Sequence, residues 1–153
     1  EVVHSKGTII DKIWGNNEQK FAQLKTLYTY MMIHPGKKLN FMGNELGEYK
    51  EWDEKVALGW NILKYPIHDS FHKFMIRLNE VYKTYPCMYE QDYGMDGFEW
   101  LVVDDRAQSV FAIERKGTDG SSLIAVMNFT GNKHEGYMVK AFMLRSSKSA
   151  RKL

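Results

Sequence analysis

Pro35-Gly36-Lys37-Lys38-Leu39-Asn40-Phe41-Met42-Gly43-Asn44-Glu45, closed by Glu51-Trp52-Asp53, is the stretch on which the reading of the fold turns. Pro35-Gly36 halts any helix before it, residues 39–42 predict a short buried strand, and Gly43-Asn44-Glu45 supplies the turn that follows. Polar side chains at the carboxyl end of a short buried strand are how a (β/α) barrel builds a site. Asn44 and Glu45 are therefore candidate cleft residues, with turn capping as the competing role for Asn44.

Upstream, Phe21, Leu24, Tyr28, Met31 and Met32 recur at helical spacing and predict a helix with one apolar face, with Asn17 as its N-cap. Downstream, residues 43–65 read as loop and carry Trp52 and Trp60. From Asp69, the set Phe71, Phe74, Met75, Leu78, Val81, Tyr82 and Tyr85 keeps three-and-four spacing until Pro86 ends it. Beyond Pro86 the period falls to two. Residues 98–103, 109–115 and 123–129 predict strands, with Asp104-Asp105-Arg106 and Gly117-Thr118-Asp119-Gly120 as turns, and an antiparallel meander is the economical arrangement. The switch near residues 86–92 marks an expected domain boundary.

The chain has 153 residues, 44% of them hydrophobic and 14% aromatic, enough to bury a core in one domain or in parts of two. A net charge of +2 argues neither for nor against an anionic partner. Cys87 is the only cysteine, so no intrachain disulfide can form, and a reducing, cytoplasmic setting is expected. There is no apolar run of membrane-spanning length and no signal peptide, so no membrane partner is expected. The chain begins with Glu1 rather than Met, as a segment of a longer protein would.

Several of these stretches resemble, in order, the bacterial glycogen (1,4-α-glucan) branching enzymes of the α-amylase superfamily. Glu1-Val2-Val3-His4-Ser5-Lys6-Gly7 resembles that family's E-V-V-H-G-K segment; Gln19-Lys20-Phe21-Ala22-Gln23-Leu24 and the run from Phe41 to Glu45 follow. Residues 93–105 and Met127-Asn128-Phe129-Thr130 complete a likeness over residues 1–139. It implies an α/β fold followed by an all-β one: residues 1–86 as the end of a catalytic (β/α)8 TIM barrel, and residues 87–139 as the start of a C-terminal antiparallel β-sandwich. Residues 140–153 form an atypical basic tail, where the family would continue with further strand.

The chemistry that the resemblance implies is cleavage of an α-1,4-glucan chain and its transfer to a 6-hydroxyl, making an α-1,6 branch by a retaining double displacement. Such chemistry uses two carboxyl groups about 5–5.5 Å apart, one attacking the anomeric carbon and the other protonating the leaving oxygen. In the family both sit on earlier barrel strands, and a third, transition-state-stabilising Asp falls just before Glu1. No catalytic residue is therefore expected within this segment, and alone it is expected to be inactive. What it retains is cleft wall: Glu1 and His4 beside the stabilising Asp, Asn44 and Glu45 at the end of the last strand, and Trp52 and Trp60 as flat apolar surfaces for a glucose ring. Core packing is the commoner fate of a tryptophan. The expected partner is an α-1,4-glucan such as glycogen or amylose, with the parent a monomer and no cofactor required.

The sequence departs from the family at four places. Leu58-Gly59-Trp60 stands where L-D-W is usual, Glu48 replaces a commoner Gln, Lys50 a commoner Arg, and Ser5 a Gly. These departures bear on acceptor selectivity more than on fold. His68 and His72 have metal-ligand spacing but no third ligand accompanies them, so no metal site is expected. No phosphate-binding glycine loop is present. Arg145, Lys148, Arg151 and Lys152 lie among serines without aromatic stacking groups, which reads as a solvated tail rather than a nucleic-acid surface. A non-catalytic glucan-binding or interaction module is the alternative function class, and a piece of a debranching or trehalose-forming relative is the alternative within the superfamily.

Overall fold

A computed structural model describes residues 3–139, so Glu1 and the tail of residues 140–153 lie outside the described residues. Two α-helices come first, α1 (Asn17–Ile33) and α2 (Pro66–Thr84), followed by three strands, β1 (Phe98–Asp105), β2 (Val110–Lys116) and β3 (Ser122–Asn128). Short 3-10 turns lie at Asn44–Leu46, Trp60–Lys64 and Pro86–Met88.

Both helices start on recognisable local chemistry. The cap of α1 is Asn16, one residue before the expected Asn17: its side chain accepts from Gln19 N at 3.0 Å, and Gln19 Oε1 accepts from Asn16 N at 2.9 Å. This reciprocal capping box favours Asn16 because only there does a Gln stand three residues on. α2 begins at Pro66, three residues before the expected Asp69, since a proline at the first helical position loses no hydrogen bond and brings the required φ. Phe21, Leu24 and Tyr28 of α1 pack with Ile10 and with Phe71 and Met75 of α2 in one buried cluster.

The second half is the expected meander. The sheet order is β1-β2-β3, antiparallel throughout, with Ile113 opposite Trp100 and Ala125, and Arg115 opposite Phe98 and Leu123. β2 is the middle strand and is buried on both faces from Ala112 to Arg115, so the simple alternation expected of a half-buried strand is lost there. One face of the sheet carries Ile113 and Met127, which form a second buried cluster with Cys87, Met88 and Ile33, the last residue of α1. Tyr30 of α1 adds a stacked contact to Trp100 at 6.5 Å. α1 thus serves two cores and not the single apolar face its spacing suggested.

One expectation fails. Residues 39–42 form no strand; they run without ladder partners, and Leu39 is 83% and Met42 56% exposed. The reason is physical: a strand exists by exchanging backbone hydrogen bonds with a neighbour, and no strand edge among the described residues lies beside this segment. The described fold shows a helical half followed by a three-stranded antiparallel sheet.

Candidate functional site

The loop of residues 42–59 folds around a shallow open depression lined by Met42, Glu48, Lys50, Glu51, Trp52 and Leu58, among others. Four charged side chains, Asp53 the fourth, and an indole thus share one concave surface. The Trp52 ring is half-buried and makes a T-shaped contact with Phe41 at 5.3 Å between centroids.

Asn44 and Glu45 are not among the lining residues; they follow Gly43, which is, on one turn of 3-10 helix between Gly43 (φ +85°) and Gly47 (φ +65°). Because residues 39–42 are not a strand, the pair is positioned by this tight turn and not by a strand end. The turn is closed by Asn44 itself through its backbone, which accepts from Gly47 N at 3.1 Å. Glu45 is half-buried and accepts from Asn40 Nδ2 at 3.4 Å, while Asn40 Oδ1 accepts from the buried Tyr28 hydroxyl at 3.1 Å. A polar relay therefore runs from the helical core to the Glu45 carboxylate. Burial, reinforced by the Glu45 charge, pushes the Tyr28 hydroxyl well above its ordinary pKa, so it stays a donor throughout the physiological range.

His4 reaches the same neighbourhood from a distant part of the chain. It is exposed, and both it and Ser5 have left-handed backbone, at φ +58° and +62°. The turn is tied down by Glu51, whose Oε1 accepts from Gly7 N at 2.6 Å and Oε2 from Ser5 N at 3.1 Å. Trp60 goes elsewhere. It is 52% exposed with its ring edge-on to His72 at 5.9 Å, beside α2 and outside the lining of the depression. The structure thus sets Trp52 in the lining of the depression and leaves His4, Asn44, Glu45 and Trp60 outside it, Asn44 and Trp60 next to the lining residues Gly43 and Gly59 and His4 next to Ser5, whose amide Glu51 binds. Glu1 lies outside the described residues.

Sequence reasoning gave no role to Tyr28, Asn40 or Glu51 in this arrangement. Their contacts span 12 and 44 to 46 residues and leave no trace in local spacing. Of the two spaced histidines, His68 is held by the loop and the helical core. His68 Nδ1 lies 2.8 Å from the Leu46 carbonyl and its ring packs edge-on to Phe21 at 4.9 Å. No group of three or more metal-ligating side chains occurs among the described residues. No helix among them is long and apolar enough to cross a membrane.

Comparison with known proteins bears on this geometry from two sides. The family of the alpha amylase, C-terminal all-beta domain matches residues 100–142, which take in most of the meander. Over almost the whole chain, the similarity includes several proteins named 1,4-alpha-glucan branching enzymes. The chain is 44% identical over 140 residues to the 1,4-alpha-glucan branching enzyme of Oceanobacillus iheyensis, covering 91% of this chain and 22% of that protein. Its identity to the branching enzyme of Rhizobium meliloti is 46% over 138 residues, 90% of this chain and 19% of that protein. The corresponding enzyme of Aquifex aeolicus is 44% identical over 140 residues, again 91% of this chain and 22% of the relative. The chain is similar along most of its length to one segment of these 1,4-alpha-glucan branching enzymes. It spans about a fifth of the length of the relatives it matches.

Within this loop a Cβ at position 59 would stand 2.5 Å from Glu48 Oε2, so the Glu48 carboxylate occupies the space beside Gly59.

Proposed function

We propose that this chain is a segment of a glycogen branching enzyme and supplies one wall of its glucan cleft, while the carboxyl groups of the double displacement lie elsewhere in the parent. The observation that carries this reading is the match along nine tenths of the chain to proteins named 1,4-alpha-glucan branching enzymes. The depression supports it: a half-buried indole offers part of its surface to the apolar face of a glucose ring, and the flanking Glu48 and Lys50 offer an acceptor and a donor to its hydroxyls. Residues 1–86 are assigned to the end of the catalytic barrel, with residues 39–42 completing their strand only beside the parent's other strands. Residues 87–139 are assigned to the start of the C-terminal β domain. The parent acts on α-1,4-glucans, works in the cytoplasm as a monomer and needs no cofactor, since the double displacement is completed by carboxyl groups and a sugar hydroxyl.

Amylose incubated with the full-length enzyme and with the isolated segment, followed by the spectrum of the iodine complex, tests the reading. The full-length enzyme should shift the spectrum and create α-1,6 linkages, and the segment alone should do neither. In the full-length enzyme Glu45→Gln keeps the shape and removes the charge, and should lower activity with little change in melting temperature. A large fall in melting temperature with unchanged specific activity would place Glu45 in the scaffold instead of the cleft.

A further inference from the structure

Residues 4–7 form an unusual turn for residues that are mostly not glycine. His4, Ser5 and Gly7 all have left-handed backbone, at φ +58°, +62° and +72°. For the two non-glycine residues that conformation is disfavoured, so the turn persists only if something outside it holds it. Backbone that turns in this way collects its N–H groups on one side and makes a concave anion site. A carboxylate fills this one. Glu51 places one oxygen 2.6 Å from Gly7 N and the other 3.1 Å from Ser5 N, from the far side of a 44-residue sequence separation, and the same side chain lines the depression next to Trp52.

We propose that Glu51 is a positioning residue for glucan binding: its carboxylate latches the turn of residues 4–7 onto the loop that carries Trp52 and so fixes where His4 stands at the edge of the cleft. The inference rests on the reading of that cleft as a glucan site. Glu51 touches no reacting atom in this scheme. It acts through the turn, spanning two amides that a single oxygen could not satisfy together.

The latch and the cleft can be tested separately in the full-length enzyme. Hydrogen exchange of the peptide covering residues 3–8, read by mass spectrometry, reports the latch whatever the activity. Glu51→Gln retains one acceptor oxygen and should speed exchange roughly tenfold, the fold-change expected for losing one charge-assisted hydrogen bond. Glu51→Asp keeps the charge but is one methylene short, reaches one amide at most, and should fall between the wild type and Glu51→Gln. Steady-state kinetics on amylose report positioning: KM should rise several-fold in Glu51→Gln while kcat stays within about twofold, because an interaction used equally in ground and transition states is the one removed. Unchanged exchange in both variants overturns the latch. Faster exchange with unchanged KM overturns the positioning role, as does a fall in kcat at constant KM. Wild-type protein that neither branches nor binds amylose, with exchange still responding to the variants, leaves the latch standing and refutes the glucan reading beneath it.

Discussion

At the scale of single residues, Gly47 and Gly59 bracket the same loop and constrain it in opposite ways. Gly47 has φ +65°, and a Cβ there would lie 2.6 Å from Phe21 Cε1 and 3.0 Å from Cζ. Phe21 is 3% exposed and locked in the helical cluster, so the ring has nowhere to go. Left-handed strain of about 1–2 kcal/mol adds to an overpacking cost of about 1–3 kcal/mol, and Gly47→Ala should therefore lower stability by roughly 2–4 kcal/mol. Gly59 carries no positive φ, and its obstacle is the free end of the Glu48 side chain, which can swing away. Gly59→Ala should accordingly stay within about 0.5 kcal/mol of the parent. Urea denaturation of the two variants in the full-length protein checks the contrast, and equal losses would mean that the Phe21 ring is free to move. Gly47 joins the site to the core: it lets the Asn44–Leu46 turn close directly over an α1 side chain, and Glu45 is held where the Tyr28 and Asn40 relay can reach it.

At the scale of elements, the β1–β2 connection shows how a turn can make stability depend on pH. Asp105 ends β1, and its carboxylate accepts from Gln108 N at 3.1 Å and from the Tyr137 hydroxyl at 2.7 Å, 32 residues on. The Tyr137 bond, helped by the Gln108 amide, holds the Asp105 carboxyl below the ordinary range; desolvation, with the Asp105 bond second, raises Tyr137 to about 12. A depressed carboxyl stabilises the folded state in full above its unfolded pKa near 4 and loses that contribution as pH falls through the lower folded value. A raised phenol contributes below its unfolded pKa near 10 and loses the contribution as pH climbs toward 12. Tyr137→Phe should therefore narrow the stability gap between the wild type at pH 7 and at pH 3, and flatten the decline above pH 10. Melting curves across that range decide it, and parallel wild-type and variant profiles would refute the link. The strands around this turn were legible from sequence because alternation and Asp/Gly turn chemistry are local signals. Both helices were legible for the same reason, with their starts missed by one and three residues where a capping box and a first-turn proline outweighed the apolar periodicity. Residues 39–42 were misread because apolar content signals burial without saying which neighbour provides it. Of the depression, Trp52 was legible from its motif, while the role of Glu51 rests on contacts 44 and 46 residues away that have no short-range signature.

At the scale of the whole molecule, the helical half and the sheet meet at one buried guanidinium. Arg115, in the middle strand, is fully buried; it donates through Nε to the Gly97 carbonyl and through Nη1 to the Ile33 carbonyl, both at 3.1 Å, and through Nη2 to Asp92 at 2.6 Å. Asp92 is itself only 6% exposed at its side chain. Ile33 is the final residue of α1, whose last carbonyls have no partner within the helix, so the arginine both satisfies one of them and sets positive charge at the negative end of the helix dipole. Three separate pieces of chain, the α1 terminus, the loop before β1, and β2, thus share one side chain with little solvent access. Arg115→Met keeps comparable apolar bulk but strands the Asp92 carboxylate in a buried position, and breaking a buried pair from one side costs about 3–5 kcal/mol. That is a large part of the stability of any domain of this size. Adding Asp92→Asn removes the stranded charge, so the double variant should recover part of the loss, and the two substitutions should be non-additive by more than the roughly 0.5 kcal/mol tolerated for independent sites. Additive losses in urea denaturation would show that Arg115 acts only through the Ile33 and Gly97 carbonyls. Recovery in the double variant would instead identify the Arg115–Asp92 pair as the joint by which the β-sheet is registered against the helices that carry the cleft.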